Sequence, residues 1–355
     1  MSQPDAFALV FDLERRLGAS WTHIHAAHEG TARLHAALTD ATASQHGSDT
    51  SIVALGSAGR FEFTDRSDID WVLLIDGQAD LAHQKQIASI ASTVAGLASK
   101  EVGPEGTFGK MASSHDLVQY IGGGDDSNAN LTRRMLLLLE SRPLGNTAAY
   151  DRVVRVILER YLTGDHGWIR GRATGGVPRF LLNDVMRYWR TIAVDYAYKQ
   201  WTRDKEGWAL RSAKLRLSRK LIFASGLISC FSLAGESWAA DPSVAQDERK
   251  LKGIEKLSAV SAQAPLDRLA GAFAAASVQD GFVRQAFDSY DSFLGILSDG
   301  PKRTHLKELA SDEADGDDSW AEITALGRTF QESLDALFFD GDGPYPQLIR
   351  RYGVF

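Results

Sequence analysis

Cysteine is almost missing from this chain of 355 residues: Cys230 stands alone, which excludes an intrachain disulfide. Lying in an apolar run, that one thiol is expected to be inert packing. Long hydrophobic stretches are missing too. The longest, Leu221 to Ala234, covers 14 residues and carries serines, so it reads as a buried helix and not a membrane span. The opening Met1-Ser-Gln-Pro-Asp-Ala has neither a basic start nor an apolar core, so no signal peptide is expected and the cytoplasm is the expected compartment. Excess positive charge is also lacking. A net charge of −7 argues against broad nucleic-acid affinity, since Lys and Arg contacts to phosphate supply most of that binding. No repeat of roughly 20 to 50 residues is visible, which removes solenoids and propellers. What remains is an ordinary soluble composition, 44% hydrophobic and 24% charged, in a chain long enough for two domains.

The chemistry concentrates between Leu55 and Asp70. Ser51 to Leu55 is apolar and partly β-branched, which predicts a buried strand that runs straight into Gly56-Ser57. A strand that ends in Gly-Ser and continues into a helix is a candidate phosphate site. Glycine lets a ligand oxygen approach the backbone, and the first N–H groups and positive end of a helix favour an anion. Asp68 and Asp70 follow at i and i+2, at the start of a second apolar run, Trp71 to Ile75. Strand alternation puts both carboxylates on one face while Ile69 and Trp71 point into the core. Two carboxylates beside a phosphate cradle make a natural Mg²⁺ site, because Mg²⁺ takes one or two carboxylates plus substrate phosphate oxygens.

The pattern Gly-Ser-x-Gly-Arg-x-Glu-x4-Ser-Asp-x-Asp, on Gly56 to Asp70, resembles the signature of the polymerase-β-like nucleotidyltransferases. Its form is similar to that of the PII-protein uridylyltransferases and glutamine-synthetase adenylyltransferases. The resemblance implies an α+β fold, with a mixed-sheet catalytic domain followed by an all-helical domain. It implies that Gly56 and Ser57 hold the triphosphate of an NTP such as ATP, and that Asp68 and Asp70 bind Mg²⁺, with Mn²⁺ as an alternative. Arg60 is a further phosphate clamp or a partner of Glu62 or Asp65.

The superfamily normally supplies a third carboxylate. Glu140, in Glu-Ser-Arg-Pro-Leu-Gly, is either that ligand, a group bonded behind the ligands, or a structural tether to Arg133, Arg134 or Arg142. Asp116 is the other candidate, although Ser113 reads as a helix N-cap and would make Asp116 a first-turn acid that complements the helix dipole.

Three parts are expected: an N-terminal helical element over 1–44, the catalytic domain over 45–147 and a helical substrate-binding domain over 148–355. The first holds His23, His25 and His28, but no further ligand pattern completes a tetrahedral metal set. Leu81 to Lys100 reads as a helix, Val102 to Gly109 as a glycine-rich passage and Gly122 to Asn130 as a loop. Tyr150 to Leu162 is an amphipathic helix.

Asn183, Arg187 and Arg190 share a face of the next helix. They belong either to a buried network with Asp184 and Asp195 or to a wall that contacts nucleotide phosphates and base, and the resemblance favours the wall. The basic segment Arg211 to Lys220 is a solvated helix face or a lobe of the cleft. Asp312 to Asp318 lacks the closing glutamate of a calcium loop and reads as a solvated acidic loop.

The function expected is transfer of a nucleoside monophosphate from an NTP to a hydroxyl of an unknown acceptor, protein or small molecule, with pyrophosphate leaving. Neither nucleic acid nor membrane is an expected partner. The rival is a catalytically silent nucleotide-binding or toxin–antitoxin type module.

Overall fold

Two apolar runs form the centre of a four-stranded sheet in the computed structural model, which describes residues 6–97, 109–171, 176–202, 207–341 and 343–353. The strands are β1 (Thr50–Leu55), β2 (Asp70–Ile75), β3 (Lys110–Ser113) and β4 (Arg142–Leu144), in the order β3-β2-β1-β4. β1 pairs antiparallel with β2 and β4, and β2 pairs parallel with β3, so the sheet is mixed. The rest of the described chain is mainly helical. The fold is therefore α+β, as the motif implied.

Both central strands are buried on both sides, which explains why they read as continuous apolar runs. On one face Ile52, Ala54, Trp71, Leu73 and Ile75 pack with Leu38 of helix Thr22–Ala41 and with Ile90 and Val94 of helix Ala82–Leu97. On the other face helix Ala148–Gly164 lies against β1 and β2, and the Tyr150 N–H donates to Ser51 Oγ at 3.1 Å. Pro143 sits in the edge strand β4, where a residue without an N–H is tolerated.

The chain divides into two compact units, residues 28–185 with 232–264, and residues 1–27, 186–231 and 265–355. The first contains the whole sheet. Its helices come from both sides of 45–147, because a sheet with two apolar faces needs helices on each. The second is helical in its described residues. There Asp267 caps helix Ala8–Leu17 by accepting from the Leu9 and Val10 N–H groups at 2.8 and 3.0 Å. Asp291 accepts from the His23 and Ile24 N–H groups, both at 2.8 Å.

The N-terminal helical element expected over 1–44 contains two α-helices, Ala8–Leu17 and Thr22–Ala41, the first ending at Gly18 with φ 57°. The end of the Leu81–Lys100 helix beyond Leu97, and the glycine-rich passage up to residue 108, lie outside the described residues.

In the sheet-bearing unit Arg134 is fully buried and makes a satisfied network. It donates from Nη1 and Nη2 to both carboxylate oxygens of Asp126 (2.8 and 2.7 Å), from Nη2 to Asp184 (3.1 Å) and from Nε to the Tyr161 hydroxyl (3.0 Å). Tyr161 donates to Asp184 at 2.6 Å, and burial together with the Asp184 charge pushes its phenol pKa up, so it stays a donor. The loop at Gly122 is thus anchored through Asp126. Asp184 pairs with Arg134, and Asp195 pairs with Lys199 one turn along its helix.

The basic segment Arg211 to Lys220 lies in a continuous helical stretch that widens into a π-turn at Leu215–Arg219. Within it the Arg216 guanidinium stacks over Trp320, 5.4 Å from the ring centroid. Asp317, from the acidic loop, caps helix Asp318–Phe338 by accepting from the Trp320 N–H at 2.8 Å.

Candidate active site

β1 ends at Leu55, and a single helical turn, Gly56–Gly59, follows at once. Leu55 lies opposite Asp70 across the antiparallel β1–β2 pair, and residues directly opposite share a face, so the Asp70 side chain comes to the start of the turn. A Cβ built on Gly56 would lie 2.6 Å from Asp70 Oδ2, and Gly56 has φ 61°. Only glycine meets both conditions. Asp68 lies two residues upstream, with Ile69 buried between it and Asp70 and Trp71 buried beyond. Burial alternates from Asp68 to Trp71, with Asp68 and Asp70 half-buried, and β2 itself begins at Asp70.

From Thr50 to Arg60 every residue is buried except Ser57. The turn therefore meets solvent at the serine that the motif assigns to phosphate. The carbonyls of the turn are occupied: Gly56 O accepts from the Arg60 N–H (3.0 Å), Ser57 O from the Glu62 N–H (2.8 Å) and Ala58 O from His35 Nε2 (3.0 Å). A neutral imidazole must carry its proton on Nε2 to make that last bond. Burial, aided by the Arg142 charge and against the pull of the Ala58 bond, lowers the His35 pKa to about 4. A depressed histidine pKa adds stability above the unfolded-state value of 6.5, and that stability is lost as pH falls towards 4. His35→Gln should therefore flatten the fall in stability between these pH values, by about 3 kcal/mol at most. Urea denaturation at pH 7 and at pH 4.5 checks this, and equal slopes for parent and variant would remove the buried neutral histidine.

Arg60, from the motif, and Glu140, the candidate third carboxylate, meet each other. Arg60 Nη1 donates to Glu140 Oε2 and Arg60 Nε donates to Glu62 Oε2 at 2.8 Å, all three side chains being buried. Glu140 is the residue that ends helix Asn128–Leu139, just before β4. Between Arg60 and Glu62, Phe61 adopts φ 63°, the only positive φ at a non-glycine among the described residues. Such a conformation is strained for a bulky side chain. Its ring packs on His28 and His35, with the Arg142 guanidinium 5.3 Å from the ring centroid. No local sequence signal marks Phe61, His35 or Arg142 as neighbours.

Asp116 is a first-turn acid of helix Ser114–Gln119, whose N-cap Ser113 accepts from the His115 N–H. β3 runs parallel to β2 with Ser113 opposite Ile75, five residues beyond Asp70 and so roughly 16 Å down the sheet. Asp116 therefore lies at the opposite end from Asp70. Arg187 and Arg190 belong to the helical unit, on helix Arg179–Thr202, Arg187 half-buried and Arg190 exposed. Among the described residues no group of three or more His, Cys, Asp and Glu side chains is placed to hold a metal. A groove of about 430 Å³ between helices Ala148–Gly164 and Gln246–Ser261 includes none of the motif residues.

A strand thus ends in a Gly-Ser turn, with Asp70 at the first residue of the neighbouring strand and Asp68 two residues ahead of it. Residues 11–116 match the model of a family described as "Putative nucleotidyltransferase DUF294". No curated protein and no solved structure matches the chain. Among the described residues no helix is long and apolar enough to cross a membrane.

Proposed function

We propose that this protein transfers a nucleoside monophosphate from an NTP to an acceptor hydroxyl. The observation that carries the proposal is the approach of the Asp70 carboxylate to Gly56, which places an acid beside the turn that would hold phosphate. Ser57 and the N–H groups of the turn would bind the β and γ phosphates, since the first N–H groups of a helical turn have no acceptor inside it.

Asp68 and Asp70, acid-only donors at an open strand end, fit Mg²⁺ or Mn²⁺ shared with the triphosphate. When bound, the ion would neutralise charge on the acceptor oxygen and on the leaving group. In the transfer the acceptor oxygen forms a bond to the α-phosphorus, the bond to the β-phosphate bridge oxygen breaks, and pyrophosphate leaves. The hydroxyl proton passes to solvent.

The resemblance to PII-protein uridylyltransferases and glutamine-synthetase adenylyltransferases supports a protein or small-molecule acceptor and rests on the motif alone. The proposal uses residues of the sheet-bearing unit only.

An NTP with Mg²⁺ should raise the melting temperature. The stabilisation is about 2.7 kcal/mol at a hundredfold excess over Kd. Adenosine should do much less than ATP, and equal stabilisation by the two would remove the phosphate cradle. Incubation with each labelled NTP and Mg²⁺, with and without cell lysate, tests the transfer itself and names the acceptor. No labelled product with any NTP would leave the nucleotide-binding module as the reading.

A further inference from the structure

We infer that Arg60 and Glu140 are positioning residues: clamped between the Glu140 and Glu62 carboxylates, the Arg60 guanidinium holds the Gly56–Gly59 turn in place without touching nucleotide or metal. The inference rests on the reading of that turn as a triphosphate cradle. It reassigns two residues for which the motif suggests direct contact with phosphate and metal.

Three observations converge on it. The first is steric. A Cβ on Gly59 would collide with the Glu140 backbone carbonyl, so the turn is seated directly on the residue whose side chain takes Arg60. The second is electrostatic. Arg60 is 7% exposed, Glu62 3% and Glu140 1%, and a cation between two acids at that depth has its charge answered from within the protein. A guanidinium that clamps phosphate must instead present free N–H groups towards solvent. Removing one member would leave buried charge uncompensated, which is why such clusters persist where they set geometry.

The third is conformational. Phe61 turns the chain back through a left-handed conformation so that Glu62 returns to Arg60, and strain of this kind persists only where the surroundings over-determine it. Glu140 in turn belongs to the junction of helix Asn128–Leu139 with β4, and β4 pairs with β1 at Ala54↔Arg142, two residues ahead of the turn. The clamp therefore ties the two ends of the cradle, its strand and its far side, to one point.

A double-mutant cycle on Mg·ATP binding tests this, using Arg60→Lys, Glu140→Gln and the pair, with whichever of the four NTPs binds the parent protein best replacing ATP if needed. Circular dichroism and melting report the folded fraction. Lysine keeps the charge but lacks the planar fork that sends Nη1 to Glu140 and Nε to Glu62 at once, so Arg60→Lys should weaken binding about tenfold or more. Glutamine keeps an acceptor for Nη1, so Glu140→Gln should weaken it only about threefold and leave the Mg²⁺ concentration for half-maximal binding unchanged.

The double variant should bind no worse than Arg60→Lys alone, because the two residues act as one unit. Additive losses, or a Mg²⁺ requirement raised about tenfold by Glu140→Gln, would overturn the inference and restore direct contacts. If Arg60→Lys does not fold, Glu140→Gln against Glu140→Leu decides: only the leucine should lose binding, at an unchanged Mg²⁺ requirement. Failure of the parent protein to bind any NTP overturns the cradle reading itself. Binding by the parent with additive losses overturns this inference alone.

Discussion

Asp68→Asn with Asp70→Asn should reduce nucleotidyl transfer by roughly a thousandfold or more, the effect of losing several kcal/mol of charge stabilisation in the transition state. The fold should survive. Both side chains are half-buried at the entry to β2, and the neighbours that fill the core are Ile69 and Trp71. Asparagine matches aspartate in shape, so the Asp70 position beside Gly56 is kept while the charge is lost. Circular dichroism and melting compared with the parent separate chemistry from folding. Transfer that persists in a folded double variant would show that these carboxylates are not the acids of the site.

Arg134→Ala carries the largest expected effect on stability. It leaves the Asp126 and Asp184 carboxylates buried without their cation and takes a partner from the Tyr161 hydroxyl. Breaking a buried ion pair in this way costs about 3–5 kcal/mol, against a typical total stability of about 5–15 kcal/mol. Denaturant titration measures the loss. The network gives the sign of a second comparison: replacing Arg134, Asp126 and Asp184 together by apolar residues of similar volume should cost less than Arg134→Ala, because no charge is then stranded. A loss below about 1 kcal/mol for Arg134→Ala, the level of an exposed pair, would mean that water reaches the network.

The sequence made β1 and β2 legible because strands buried on both faces are written as unbroken apolar runs, and the turn between them because only glycine tolerates Gly56's backbone and its approach to Asp70. β3 and β4 were not legible. Four residues that begin Lys-Met and three that contain a proline carry no strand pattern, and they become strands only because β2 and β1 offer them an edge. The partner of Glu140 was equally hidden. Local spacing offered Arg133, Arg134 and Arg142 as tethers and gave no sign of the pair with Arg60, 80 residues earlier, a distance set by the register of β4 on β1. Arg134 showed the same limit, since its main partner Asp126 lies in a glycine-rich loop that reads as an ordinary connection. Boundaries were the least legible. The strands mark where the sheet starts and stops, but two of the helices that cover it, Thr22–Ala41 and Ala148–Gly164, lie outside 45–147.

The stretch that matches the nucleotidyltransferase family ends at residue 116, and β4 begins at Arg142. A fragment cut at that match would contain the Gly-Ser turn and both aspartates yet leave one side of β1 as a bare edge, with its N–H and C=O groups open to any other strand. It would also lack helix Ala148–Gly164, exposing the apolar face that Val53 and Leu74 share. The stretch that matches the family and the stretch that completes the sheet are thus different lengths of chain, and the shorter one should be prone to aggregate.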